Sequence, residues 1–414
     1  MGQNHWKRGL LSHASIRRLL KYANFDTASS ENSPTTPSTP GQLALGRALV
    51  EEMRDMGIPD ARIDEMGYVY GSIPETIPGQ PAIGLIAHMD TASCVPCRPM
   101  RARLIDYRGG EPKLDNGDSL GDLSAYAGQQ LVLTDGNTLL GADDKAGIAE
   151  ILTAAERLLE DPSLPHGKVC IAFTPDEEIG RGADHFDLAG FGADFAYTVD
   201  GGELGEVEYE CFNAANGKLR FTGRSTHPGA AKGTMKNALR IAAEFISLLP
   251  CAQAPENTEG YEGFYHVDEI RGTLEQVTLA LLVRDHDRAL FEKRKALVRD
   301  ICRLLDQKHG AGSVELDLRD SYYNMAEVLK GRPDILHRAK EAMRAAGITP
   351  RVRPIRGGTD DARLSFMGLP CPNLSTGGMN GHSRQEWISI QAMDTMVRVL
   401  CALVSPPQGS RTKK

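Results

Sequence analysis

AIGLIAHMD, residues 82–90, decides the fold. Its first six positions are apolar or glycine without a polar break, the pattern of a strand buried on both faces, as in a parallel sheet. His88 and Asp90 close the run, two residues apart and so on one side of an extended chain. The pattern recurs. KVCIAF (168–173) is a second apolar run and PDEE (175–178) follows it; DFAYTV (194–199) is a third, and VDGG (199–202) brings Asp200 at its end. GADD (141–144) opens a stretch in which Ile148, Ile151, Leu152, Ala155, Leu158 and Leu159 recur at three and four, the period of an amphipathic helix over 144–160. Asp143 and Asp144 then stand at a helix N-terminus, where carboxylates are favoured. Strands alternating with helices predict an α/β fold. In such open sheets ligands bind beyond the carboxyl ends of the strands, where these acids and His88 collect.

Residues 211–323 read differently. Strand 217–223, helix 236–249, strands near 264–271 and 275–284, helix 287–305 and strand 313–320 give the order β-α-β-β-α-β of a ferredoxin-like unit. A smaller α+β domain (211–323) is therefore expected to be inserted into a catalytic one (1–210 and 324–414), with 1–12 as a loose extension. Helices are expected at 14–24, 43–56, 333–346 and 389–404. SSENSPTTPSTPGQ (29–42) reads as a surface loop or exposed hinge, and 91–140 as mostly loop.

Bulk properties narrow the function. The chain has 414 residues and a net charge of −8, which disfavours non-specific binding to nucleic acid or to an anionic membrane. No apolar run approaches the ~18–20 residues of a membrane span, and the N-terminus lacks a signal-peptide core. Trp6 stands where a myristoylation motif wants Ser or Thr. The eight cysteines are dispersed, which fits a reducing compartment, and the expected location is cytoplasmic. Cys94 and Cys97 form one Cys-x-x-Cys, but no second pair completes a four-thiolate zinc site.

Two histidines and several carboxylates at strand ends are what a pair of divalent ions requires. His88 and Asp200 are assigned to one ion, Glu178 and His382 of GHS (381–383) to the other, with Asp143 between them. Glu177 is then free to act as general base. Asp90 is read as the residue that orients the His88 imidazole.

AHMDT, TLLGADDKAGIAEI, FTPDEEIGRGADHFD, AYTVDGGELGE, RSTHPGAAKGTMKNA, TEGYEGFYHV, DSYYNM and IRGGTD together strongly resemble the peptidase T family of tripeptide aminopeptidases. That family lies within the superfamily of co-catalytic zinc metallopeptidases that includes the aminoacylases. The resemblance spans roughly residues 13–405, with the motifs in their expected order. It implies a mixed-sheet zinc-peptidase domain with a ferredoxin-like lid, two zinc ions per subunit on His88, Asp143, Glu178, Asp200 and His382, Glu177 as base, Asp90 in support, and a cis peptide between Asp143 and Asp144. It also implies substrate-binding roles for His227 toward an oxyanion, and for Arg284 or Arg356 toward a substrate carboxylate. The sequence departs from the family at His286, at Asp361 and in the CVPC loop after Asp90.

The expected activity is removal of the N-terminal residue from short peptides, tripeptides foremost, by a metal-activated water. A dipeptidase, a carboxypeptidase or an N-acyl-amino-acid deacylase would share the metal motifs. An inactive metal-binding regulatory protein would lack Glu177 or a ligand, and none is missing. The oligomeric state is not written in the sequence.

Overall fold

The computed structural model describes residues 13–406; the extension read over 1–12, Trp6 included, and the end of the tail lie outside them. Two compact units emerge, one of Met1–Tyr209, Val328–Arg353 and Thr359–Lys414, the other of Glu210–Glu327 and Pro354–Gly358.

The first unit is built on an eight-stranded mixed sheet. Ile83–His88, Val169–Thr174 and Phe195–Val199, the three apolar runs, lie side by side and parallel at its centre, and every residue of all three is buried. That explains their lack of alternation, since both faces are covered. The helix Ala142–Glu160 packs on Ile83–His88 and on Phe195–Val199, and helices Ala14–Tyr22 and Ile390–Val404 pack on it in turn. Being parallel, the central strands deliver their C-terminal ends to one edge. Asn373–Leu374 runs parallel beside Phe195–Val199, while Val69–Ile73 runs antiparallel beside Val169–Thr174.

A separate four-stranded sheet in the same unit joins Gly378–Met379, Trp387–Ser389, Gln130–Leu133 and Arg103–Asp106, all antiparallel. The 91–140 stretch is thus not only loop: two four-residue strands in it pair across the chain with the C-terminal region. Local pattern could not reveal them, because such short strands are stabilised by partners far away in sequence. The 29–42 stretch is also less free than its composition suggests. Ser38 and Gln42 are buried, and the following helix begins at Pro40, where proline's fixed φ suits the first turn.

The second unit holds Asn213–Thr222, Phe264–Gly272, Gln276–Asp285 and Val314–Tyr322, with helices Ala238–Leu248 and Arg288–His309 in the order the sequence predicts. The strands pair antiparallel, with Gln276–Asp285 and Asn213–Thr222 in the middle; this is the ferredoxin-like arrangement. On Asn213–Thr222 exposed and buried residues alternate from Asn216 on, so only one face is covered. Leu219, Phe221, Val277, Leu281 and Val283 meet Ile241, Phe245, Phe291 and Val298 from the helices in one core.

Candidate metal centre

The C-terminal edge of the central sheet gathers the acids and imidazoles. His88, 3% exposed, ends its strand. Its Nε2 stands 3.1 Å from Asp143 Oδ1 and 3.7 Å from Asp200 Oδ1. The other oxygen of Asp143, Oδ2, is 3.3 Å from His382 Nε2, and the same nitrogen is 2.9 Å from Glu178 Oε2. The two oxygens of Asp143 therefore face two different imidazoles. His88, Asp143 and Glu178 form one group with converging donor atoms, and His88, Asp144 and Asp200 a second. Asp144 has other work: its carboxylate accepts the backbone N–H groups of His88 and Gly147. The Asp143–Asp144 peptide is cis.

His382 arrives from the second sheet of this unit. It lies in the connection between Gly378–Met379 and Trp387–Ser389, where Asn380 and His382 take positive φ of 57° and 60°. Such angles are uncommon for non-glycine residues and mark a tightly specified turn. Asp176 (φ 58°) is a third case, immediately before the Glu177 and Glu178 pair. Its buried carboxylate accepts from the backbone and hydroxyl of Ser38 and from Gln42 Nε2, and its own N–H returns a bond to Gln42 Oε1. This network holds the strained residue in place.

Asp90 links the parts. It is fully buried, its Oδ1 and Oδ2 accept the N–H groups of Glu177 (3.0 Å) and Glu178 (3.1 Å), and Oδ1 lies 3.3 Å from His88 Nδ1. One carboxylate thus orients an imidazole and fixes the backbone that carries the two glutamates.

The electrostatics favour cations. Burial resists an imidazolium at His88, yet Asp200, Asp143 and Asp90 hold it well above its ordinary range. Hydrogen bonds to Asp143 and Glu178 raise His382 to about 11. Burial, and after it the neighbouring acids Asp200, Asp360 and Asp90, push the Glu177 carboxyl well above the usual carboxylate range. Burial lifts Asp200 to about 6 against the pull of His88. Each shift has one cause, an excess of negative charge in a space of low polarisability. Glu178 Oε1 is also buried without a hydrogen-bond partner, an acceptor that a cation would satisfy. Imidazole and carboxylate donors of this kind fit zinc.

Glu386 escaped sequence reasoning. Fully buried, it accepts Leu140 N (2.7 Å) and Gly141 N (2.8 Å) on Oε2 and Asp143 N (3.0 Å) on Oε1. It therefore shapes the turn that presents Asp143, with Gly141 supplying a φ of 74°. A single glutamate with no motif around it gives no sequence signal. Nor does Asp360, buried near the same acids and raised to about 7 by that burial.

The thiols of the CVPC loop part company: Cys94 donates to the His382 carbonyl and Cys97 to Asp26.

The other candidates belong to the second unit. His227 is exposed and its Nδ1 accepts from Gly229 N. Arg284 donates to the carbonyls of Ala215 and Val283 and to Asn216 Oδ1, and stacks over Tyr322; among the described residues it makes no ion pair with Asp285, which pairs with Arg294 instead. Arg356 donates to Gly260 O, Glu262 O and Thr258 Oγ1 and lies over Phe212 and Phe264. His286, one of the departures, is buried in a stack on Phe212. Asp361, the other, is buried with one oxygen on Ala362 N.

Residues 134–405 match the description of peptidase family M20/M25/M40. Over 394 residues the chain is 49% identical to a peptidase T of Clostridium perfringens, covering 94% of this chain and 97% of that relative. It is similar in fold to an aminopeptidase PepT of Bacillus cereus, with a TM-score of 0.76 and 21% identity over 94% of this chain and 97% of the other. It is also similar in fold to a dinuclear metal-binding M20 peptidase of Bacillus subtilis, with a TM-score of 0.64 and 14% identity over 94% and 96% of the two chains.

Proposed function

The chain belongs to peptidase family M20/M25/M40 and is a metallopeptidase, and from that premise we propose a two-zinc exopeptidase that cuts the N-terminal residue from short peptides, tripeptides foremost. The observation that carries the reading is Asp143, whose two oxygens are turned toward two separate imidazoles. In this reading His88 and Asp200 hold one ion, Glu178 and His382 the other, and Asp143 both. Bound there, the ions supply a Lewis acid for the scissile carbonyl and make water acidic enough to be deprotonated near neutrality.

The protein's own groups do the rest. Glu177 accepts the attacking water's proton and returns it to the leaving amine nitrogen. The acids that raise its proton affinity suit it to that exchange. Asp90 keeps the His88 ring in one orientation and, through two N–H bonds, keeps Glu177 in register with Glu178. Substrate-binding roles are proposed for His227, Arg284 and Arg356. The engagement of Arg284 with carbonyls rather than carboxylates supports its role: its charge is not neutralised by an acid of the unit. A cytoplasmic location is supported by the eight free cysteines. Among the described residues no helix is long and apolar enough to cross a membrane.

The test is hydrolysis of di-, tri- and tetrapeptides beside N-acyl amino acids, with a chelator and then with added Zn²⁺. Release of the first residue from tripeptides, lost on chelation and restored by zinc, is expected. Preference for N-acyl amino acids would refute the reading in favour of a deacylase, and activity indifferent to chelation would refute the metal assignment.

A further inference from the structure

A cavity of about 250 Å³ opens beside the proposed centre, lined by Asp143 at one side and by Gly202, Glu203, Glu206, Arg353 and Met379 among others. Sites for whole drug-sized ligands run to roughly 300–1,000 Å³, so this one suits a single side chain better than a peptide. Its walls are polar but compensated. Glu203 pairs with Arg351 at 3.0 Å, and Glu206 with Arg353 at 2.9 Å. Met379 adds an unbranched, polarisable thioether that adapts to differently shaped apolar groups. Gly202, at φ 73°, contributes backbone alone; a Cβ there would come within 3.1 Å of Glu206 Oε2.

We infer that this cavity seats the side chain of the substrate's N-terminal residue and selects uncharged side chains of moderate size, such as those of Leu, Met or Gln. The inference rests on the exopeptidase reading. In such an enzyme the reacting bond has a single residue on its N-terminal side, and the cavity begins at Asp143, where that bond is proposed to lie. Charge is excluded by the pairing of the walls. A lysine side chain would compete with Arg353 for Glu206, and a glutamate would compete with Glu206 for Arg353. Either leaves one wall charge without its partner, which is costly away from bulk water.

The experiment measures kcat/KM of the zinc-loaded enzyme on X-Gly-Gly tripeptides with X as Gly, Leu, Met, Gln, Glu or Lys. Leu, Met and Gln are expected to exceed Glu and Lys by about tenfold or more. Two variants reverse the charge logic. Arg353→Gln frees Glu206 and should raise the Lys-to-Glu selectivity ratio about tenfold; Glu203→Gln removes an acid and should move the ratio the other way. Arg353 and Glu203 are 56% and 35% exposed at their side chains, so neither substitution opens the core. Selectivity ratios unchanged in both variants would overturn the role of the cavity and leave the exopeptidase reading standing. Failure of the loaded wild type to cut any tripeptide would overturn both.

Discussion

Replacing Glu386 with Gln tests whether Asp143 is held in place from behind. The wild-type carboxylate accepts two N–H groups on one oxygen and the N–H of Asp143 on the other. A glutamine keeps one acceptor oxygen for Leu140 and Gly141 and turns its NH₂ toward Asp143 N–H, donor against donor. One hydrogen bond to a charged group is lost, worth about 1.5–3 kcal/mol. At about 1.4 kcal/mol per tenfold that predicts roughly 10- to 150-fold weaker metal binding, in line with the ~10–100-fold seen when groups that orient metal ligands are removed. The assay is competition for Zn²⁺ between the metal-free protein and a chromogenic chelator, with circular dichroism of the metal-free forms as a check on folding. It is run above about pH 8, because burial lifts the Glu386 carboxyl to about 7 and only the ionised form accepts with both oxygens. An affinity within twofold of wild type in a folded protein would refute the reasoning.

Glu177→Gln should keep the fold and its full zinc content while kcat falls about 10²–10⁴-fold; substantial turnover would remove Glu177 as base. Arg284→Ala should raise KM for tripeptides by about tenfold or more, the worth of a charged hydrogen bond, and an unchanged KM would remove the carboxylate-anchoring role. Glu150, fully buried in helix Ala142–Glu160, has neither oxygen hydrogen-bonded, and burial raises its carboxyl well above the ordinary range. Because the folded state holds this proton more tightly than the unfolded one, its contribution is fully present below the ordinary carboxylate pKa and is lost as pH rises toward the folded value. Glu150→Met should therefore stabilise the protein, by about 1–3 kcal/mol at neutral pH, with a gain that shrinks toward acid pH in denaturant titrations; a pH-independent difference would count against the assignment.

What the sequence exposed and what it hid follow physical range. The three central strands were legible because each is a local apolar run, and His88, Glu178 and Asp200 were legible because each stands beside one. The ferredoxin-like unit was legible because its strands and helices are long enough to carry their own periodicity. Gln130–Leu133 and Arg103–Asp106 were not, since their stability comes from Trp387–Ser389 and its neighbours, far along the chain. Glu386 and the bonds from Ser38 and Gln42 to Asp176 were hidden for the same reason. They act through single hydrogen bonds between segments 246, 138 and 134 residues apart, and one polar residue leaves no periodic trace.

The position of His382 in the turn before Trp387–Ser389 has a consequence for biosynthesis. Translation runs from the N-terminus, so His88, Asp143, Glu178 and Asp200 leave the ribosome well before the last imidazole and the glutamate that braces Asp143. A nascent or prematurely terminated polypeptide carries most of the acids but cannot close the pair of sites. Hydrolytic competence then belongs to the finished chain alone, and an aborted product is a poor zinc binder rather than an unregulated protease.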